Sequence, residues 1–160
     1  LMDVKEGGYP SLLKMFLGTT TGTIGETSTA ALLLGAIYLL LRRVIDWKIP
    51  VIYIATFAVF DILYMVIAGA AAYPLLYELC GGGLMLGAFF MATDYVTSPI
   101  TSKGKVIYAI LLGLLTGLFR FFGESAEGVS FAIIIGNLFV PLIERYTVPK
   151  AFGKEGKANG

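Results

Sequence analysis

The 160-residue chain is 57% hydrophobic and 14% charged, with a mean hydropathy of +0.82, against about 25% charged residues in an ordinary soluble domain; so much apolar surface calls for lipid. Twelve basic and 11 acidic residues leave a net charge of +1, which gives no electrostatic footprint for nucleic acid. Histidine is absent and Cys80 is the sole cysteine, which argues against zinc hydrolysis, Ser/His/Asp chemistry, an internal disulfide and self-contained iron–sulfur ligation; Cys80 reads as a small buried hydrophobe.

The chain opens at Leu1 without a signal-peptide pattern and reads as a fragment. Residues 1–25 form the first expected unit. They mix Gly7, Gly8 and Pro10 with an amphipathic stretch, Leu12 to Leu17, and predict an outer-face loop with an interfacial segment. Apolar runs follow at Thr27–Leu41, Ile49–Gly69, Leu79–Thr93, Val106–Phe119 and Gly128–Ile143. They predict an all-α polytopic membrane protein with five transmembrane helices over residues 26–146, then a cytoplasmic tail at 147–160. Several runs fall short of the roughly 20 residues that cross a bilayer, so they must borrow flanking polar residues or be locally broken.

Gly81-Gly82-Gly83 is the expected break. Each glycine inside a helix costs about 1 kcal/mol, and irregular backbone at membrane depth is tolerated only against protein or water. Gly83 with Gly87, and Gly113 with Gly117, also fit small-xxx-small packing faces. Packing is the preferred reading for the second pair, while for the triple glycine a packing role and a ligand-facing role stay open.

Basic residues divide unevenly between the two sides of the spans. Arg42, Arg43, Lys48, Lys103, Lys105, Arg145, Lys150, Lys154 and Lys157 fall on one side, and Lys5, Lys14 and Arg120 on the other. That bias predicts a cytoplasmic C-terminus and an outer Leu1 end.

Acidic residues at membrane depth are the functional candidates. Asp61 lies inside the second run, where a charge costs about 3 kcal/mol on insertion scales and should not face lipid. Glu26 and Asp94 lie at the ends of the first and third runs. Asp94, beside Thr93 and Thr97, offers the hard oxygen ligands a small cation prefers. Asp94, Asp61 and Glu26 are therefore the candidates for an ion path. Glu78, Glu124, Glu127 and Glu144 read as solvated or capping carboxylates. Thr27 and Ser28 fit a helix N-cap.

The string Phe16-Leu17-Gly18…Gly22-Thr23-Ile24-Gly25-Glu26-Thr27-Ser28 resembles the "FLG…GSIGETS" segment of the D subunit of the Rnf complex, shared with the B subunit of the sodium-pumping NADH:quinone oxidoreductase. Residues 82–94, ending Phe89-Phe90-Met91-Ala92-Thr93-Asp94, are similar to the family's "GGLMxGAFFMATDPVTSP". Arg120-Phe121-Phe122-Gly123 is similar to its "RxFG", and Gly128-Val129-Ser130-Phe131-Ala132-Ile133 with Asn137, Pro141, Leu142 and Ile143 to its last helix. One departure is Tyr95, where the family usually has proline.

This resemblance implies more than the residues do. It implies the second half of a urea-transporter-like fold built from two inverted halves. The implied activity is that of a subunit of a redox-driven, Na+- or H+-translocating ferredoxin:NAD+ oxidoreductase in a prokaryotic cytoplasmic membrane. Its partners would be other membrane, flavoprotein and iron–sulfur subunits, and the lipid bilayer. The quinone-reductase subunit and a passive urea-transporter-type channel half are the alternatives. Flavin mononucleotide (FMN) is implied, esterified to a threonine of an S-x-A-T motif; no such string occurs here, so that threonine is expected upstream of Leu1. A second, non-covalent flavin such as riboflavin is also implied. Gly22, Thr23, Gly25, Glu26, Thr27, Gly82 and Gly83 are the expected flavin-bordering residues, since their glycines permit close backbone approach. No complete active site is expected within this chain.

Overall fold

The computed structural model describes residues 12–18, 28–68, 75–81, 83–123 and 128–149. Its elements are α1 (Leu12–Leu17), α2 (Thr29–Leu41), α3 (Lys48–Ala68), α4 (Leu75–Cys80), α5 (Leu84–Leu86), α6 (Ser102–Phe122) and α7 (Gly128–Thr147), and α5 widens into a π turn over Gly87–Met91. Among the described residues every regular element is helical.

Helices α3, α6 and α7 are long and apolar enough to cross a bilayer. At 1.5 Å per residue, each covers about the 30 Å of a hydrocarbon core. Helix α2 is shorter, at 13 residues. Ser28 caps its start, its hydroxyl accepting from Ala31 N at 3.2 Å, while Thr27 lies outside the described residues. Its far end closes through Arg43 at φ 55°.

The run Leu79–Thr93 is not one continuous helix. Helix α4 stops at Cys80 and α5 begins at Leu84, with Gly83 between them at φ 70°. That left-handed backbone is costly for any residue with a Cβ. Gly82 lies outside the described residues. The π turn is closed by Ala92 N donating to Gly87 O at 2.7 Å, and the Thr93 hydroxyl donates back to Phe89 O at 2.7 Å, so the helix loosens just before Asp94.

Small residues bring the long helices together. A Cβ on Gly113 would stand 2.6 Å from Thr56 Cβ, and one on Gly117 would stand 2.4 Å from the Phe60 ring. These residues form the groove that receives α3. Gly136 on α7 plays the same part against Leu112 of α6, at 2.5 Å. The Gly83/Gly87 pair divides its labour: Gly83 turns the chain, whereas Gly87 packs on Val129.

Contacts give the helix directions. Thr56 meets Gly113 and Phe60 meets Gly117, so α3 and α6 run parallel. Thr101 reaches Thr147 and Gly128 lies against Phe119, so α7 runs antiparallel to α6. The core is a shared seam in which Tyr53, Phe57 and Asp61 of α3 and Tyr108, Leu112 and Thr116 of α6 are all fully buried. Both sets recur every four residues, which keeps them on one helix face.

Candidate functional site

Three polar groups line this seam. The first surrounds the helix break. Where α4 stops, its last carbonyls need donors, because a buried carbonyl left unpaired costs free energy. Arg120, near the end of α6, donates through Nη1 to Glu78 O and through Nη2 to Gly81 O, both at 2.7 Å. Its Nη1 is also 3.1 Å from Glu78 Oε2, and its guanidinium lies 5.2 Å from the centre of the Phe57 ring. Thr29, at the start of α2, donates to Cys80 O at 3.2 Å. One forked cation and one hydroxyl thus hold the broken end in place.

Asp61 lies one turn beyond Phe57. It is 0% exposed, and neither carboxyl oxygen has a hydrogen-bond partner among the described residues. The charges of Arg120 and Glu78 are both near enough to act on it.

The second group is a pair of buried hydroxyl contacts further along the seam. Tyr53 and Thr116 share a 2.5 Å hydrogen bond, and the Tyr108 hydroxyl donates to Asn137 Oδ1 at 2.5 Å.

The third group stands at the opposite end of α3 and α6. Asp94 is exposed there and accepts from the Thr97 hydroxyl at 3.2 Å. Lys105 binds Asp46 at 2.9 Å. Beside the Lys105–Asp46 pair opens a cleft of about 530 Å³, bordered by Arg43, Asp46, Trp47, Thr93, Tyr95 and Lys105. Tyr95, the departure from the family string, donates its hydroxyl to Val44 O and so ties the exit of the π turn to the α2–α3 connection.

The structure separates the proposed ion-path residues. Asp61 lies beside the break and Asp94 at the far end, with the two hydroxyl pairs between, while Glu26 lies outside the described residues. Among the expected flavin-bordering residues, Gly83 is described; Gly22, Thr23, Gly25, Glu26, Thr27 and Gly82 are not. Glu78 corrects an expectation: it is no solvated carboxylate, since its side chain is only 11% exposed and it pairs with Arg120. Glu144 accepts Ile100 N at 3.0 Å, one residue before the Thr101 N-cap of α6. The role of Arg120 was missed, because in the sequence it counted as a loop cation. The available signal was a single arginine set among apolar residues in the last turn of a span.

Asp46 feels opposing influences. Burial raises its carboxyl, but the hydrogen bonds and charges of Lys105 and Lys48 outweigh that and hold it below the usual carboxylate range. A depressed native value stabilises the fold above the ordinary carboxylate pKa, and the contribution is lost as pH falls through the native value. With both side chains partly in solvent, the pair is worth about 0.5 kcal/mol. Asp46→Asn should therefore lower stability by that order at neutral pH, and the gap to the parent should close in acid. Denaturation of the two proteins at both pH values checks this.

A family model described as NQR2, RnfD, RnfE matches residues 1–153. The chain belongs to this family. Among curated relatives, it is 45% identical over 159 residues to the D subunit of the Na+-translocating ferredoxin:NAD+ oxidoreductase complex of Acetobacterium woodii. It is also 45% identical over 148 residues to the D subunit of the proton-translocating ferredoxin:NAD+ oxidoreductase complex of Clostridium ljungdahlii. To the D subunit of the ion-translocating oxidoreductase complex of Stutzerimonas stutzeri it is 41% identical over 150 residues. These alignments cover 95, 92 and 94% of this chain but 48, 45 and 42% of the relatives. The chain thus spans less than half of each of these family members, and its three long apolar helices fit a membrane part of such a protein.

Proposed function

We propose that this chain is part of a membrane subunit of an Rnf-type complex that couples electron transfer from ferredoxin to NAD+ with translocation of Na+ or H+ across a prokaryotic cytoplasmic membrane. The observation that carries this reading is the 45% identity, over nearly the whole chain, to two proteins named as the D subunits of such complexes. In this reading α2 and the interrupted α4–α5 segment complete five crossings, arranged as one half of a urea-transporter-like fold. The Lys103/Lys105 end faces the cytoplasm, and the partners are further membrane, flavoprotein and iron–sulfur subunits.

Covalent FMN, and a second flavin such as riboflavin, belong to the same proposal and would supply the one-electron steps. Every described threonine hydroxyl already bonds within the protein, which agrees with an attachment threonine elsewhere. Thr29, Thr56, Thr93, Thr97, Thr101, Thr116 and Thr147 all hydrogen-bond to protein. The described residues therefore fit a supporting role. Gly83 and the start of α2 shape the backbone beside the expected flavin-bordering strings, and Arg120 fixes that backbone.

Asp94, exposed at the end of the π turn, is the residue proposed to meet the ion first. The test uses the full-length subunit in its purified complex, reconstituted in vesicles. Ferredoxin-dependent NAD+ reduction should drive ion uptake, and Asp94→Asn should cut uptake about tenfold or more while flavin content stays normal. Vesicles that show no ferredoxin-driven uptake would overturn the functional reading; unchanged uptake in the variant alone would remove Asp94 from the path.

A further inference from the structure

We propose that Asp61 is a proton-binding site inside the membrane, neutral when loaded and charged when empty, set beside the fixed Arg120–Glu78 ion pair. The inference rests on the geometry of α3, α4 and α6 and does not depend on the redox role.

Asp61 is the fourteenth residue of α3, about 20 Å along it from Lys48. It is 0% exposed and both oxygens are unpartnered among the described residues. A carboxyl group in that position is unstable as a bare anion and must be neutralised. Arg120 does not meet that need. Its guanidinium is engaged with Glu78 Oε2, Glu78 O and Gly81 O, so its charge is already balanced by Glu78. With Asp61 ionised, these three side chains sum to one negative charge; with one proton bound, they sum to zero.

A metal ion could also supply that charge, but it requires a shell of several oxygen ligands. Among the described residues no cluster of three His, Cys, Asp or Glu side chains exists. The neighbours of Asp61 are instead aromatic: Phe57 is fully buried one turn before it, and Phe60 and Tyr64 stack on Phe121. A proton needs no such shell.

The remaining titratable and charged groups around Asp61 are few. Among the described residues they are Tyr53 and Tyr64 on α3, Tyr77, Glu78 and Cys80 on α4, and Arg120 on α6; α7 carries its own only at positions 144–146, at the opposite end. Arg120 and Glu78 therefore set how tightly the proton is held. Removing the Glu78 charge leaves the arginine uncompensated, which favours ionised Asp61 and weakens proton binding.

Infrared difference spectroscopy of the complex containing the full-length subunit in lipid, titrated with pH, tests the proposal. A carboxylic-acid C=O band is expected that vanishes in Asp61→Asn and shifts in Asp61→Glu. In Glu78→Gln the same band should disappear at a pH lower by about one unit, a tenfold loss of proton affinity. If Asp61→Asn does not assemble, the other two variants carry the test. Three results would overturn it: a band unchanged in Asp61→Glu, a titration unmoved by Glu78→Gln, or loss of the band on adding sodium at fixed pH, which would make Asp61 a sodium site.

Discussion

Replacing Arg120 with methionine is expected to destabilise the protein by about 3–5 kcal/mol, the range for removing one partner of a buried ion pair. Methionine keeps much of the side-chain volume, so packing against Phe57 changes little and the loss is polar. Glu78 is left as an uncompensated carboxylate, and the carbonyls of Glu78 and Gly81 lose their 2.7 Å donors in a largely buried setting. Arg120→Lys should recover only part of this, because an ammonium is a point charge and cannot fork across two carbonyls and a carboxylate. Denaturant titration of the subunit in mixed micelles measures both variants, and limited proteolysis near residue 81 reports on the break. An Arg120→Met protein within about 1 kcal/mol of the parent would mean that the pairing is idle.

The second large effect concerns the groove between α3 and α6. Alanine at position 113 would place its Cβ 2.6 Å from Thr56 Cβ and 3.0 Å from Tyr53 O. The second atom is backbone and cannot rotate away. Overpacking of this kind costs about 1–3 kcal/mol, and Gly113→Leu should exceed that by forcing the two helices apart. The buried Tyr53–Thr116 hydrogen bond would stretch with them. Gly35→Ala is the internal control: its Cβ would come no nearer than 3.2 Å to the tip of the Phe90 ring, so it should be nearly neutral. The same micelle titration ranks the three variants, and equal midpoints for Gly35→Ala and Gly113→Leu would remove the groove from the account.

Features that depend on neighbours along the chain were legible beforehand. The long apolar runs became α3, α6 and α7, Ser28 at the start of the first run caps α2, and the i, i+4 glycines of α6 lie on a helix interface, as small residues in lipid should. The interruption within the third run falls at its glycines because Gly83 takes a positive φ. Pairings between distant residues were not legible. Arg120 meets Glu78 42 residues away and Lys105 meets Asp46 59 residues away, and the local sequence does not say which residue each charge meets. The π turn before Asp94 was also hidden, since no local signal marks it, and its first residue, Gly87, packs on Val129 of a distant helix. Hydropathy placed Asp61 in a span, but only the packing revealed that none of the described residues hydrogen-bonds to it.

Because α3 and α6 run the same way, the chain leaves α3 at the end near Arg120 and enters α6 at the other. The connecting residues 69–101 therefore make a full return journey across the bundle. Their described helical pieces, six residues before Gly83 and eight from Leu84 through Met91, amount to about 20 Å of rise, short of the roughly 30 Å hydrocarbon core. The described non-helical backbone on either side, Gly81 and Gly83 before α5 and Ala92 through Ile100 after the π turn, carries the return further. Backbone of that kind leaves carbonyls that no helix ladder satisfies, so this return leg has to keep its irregular parts against protein or water and cannot present them to lipid.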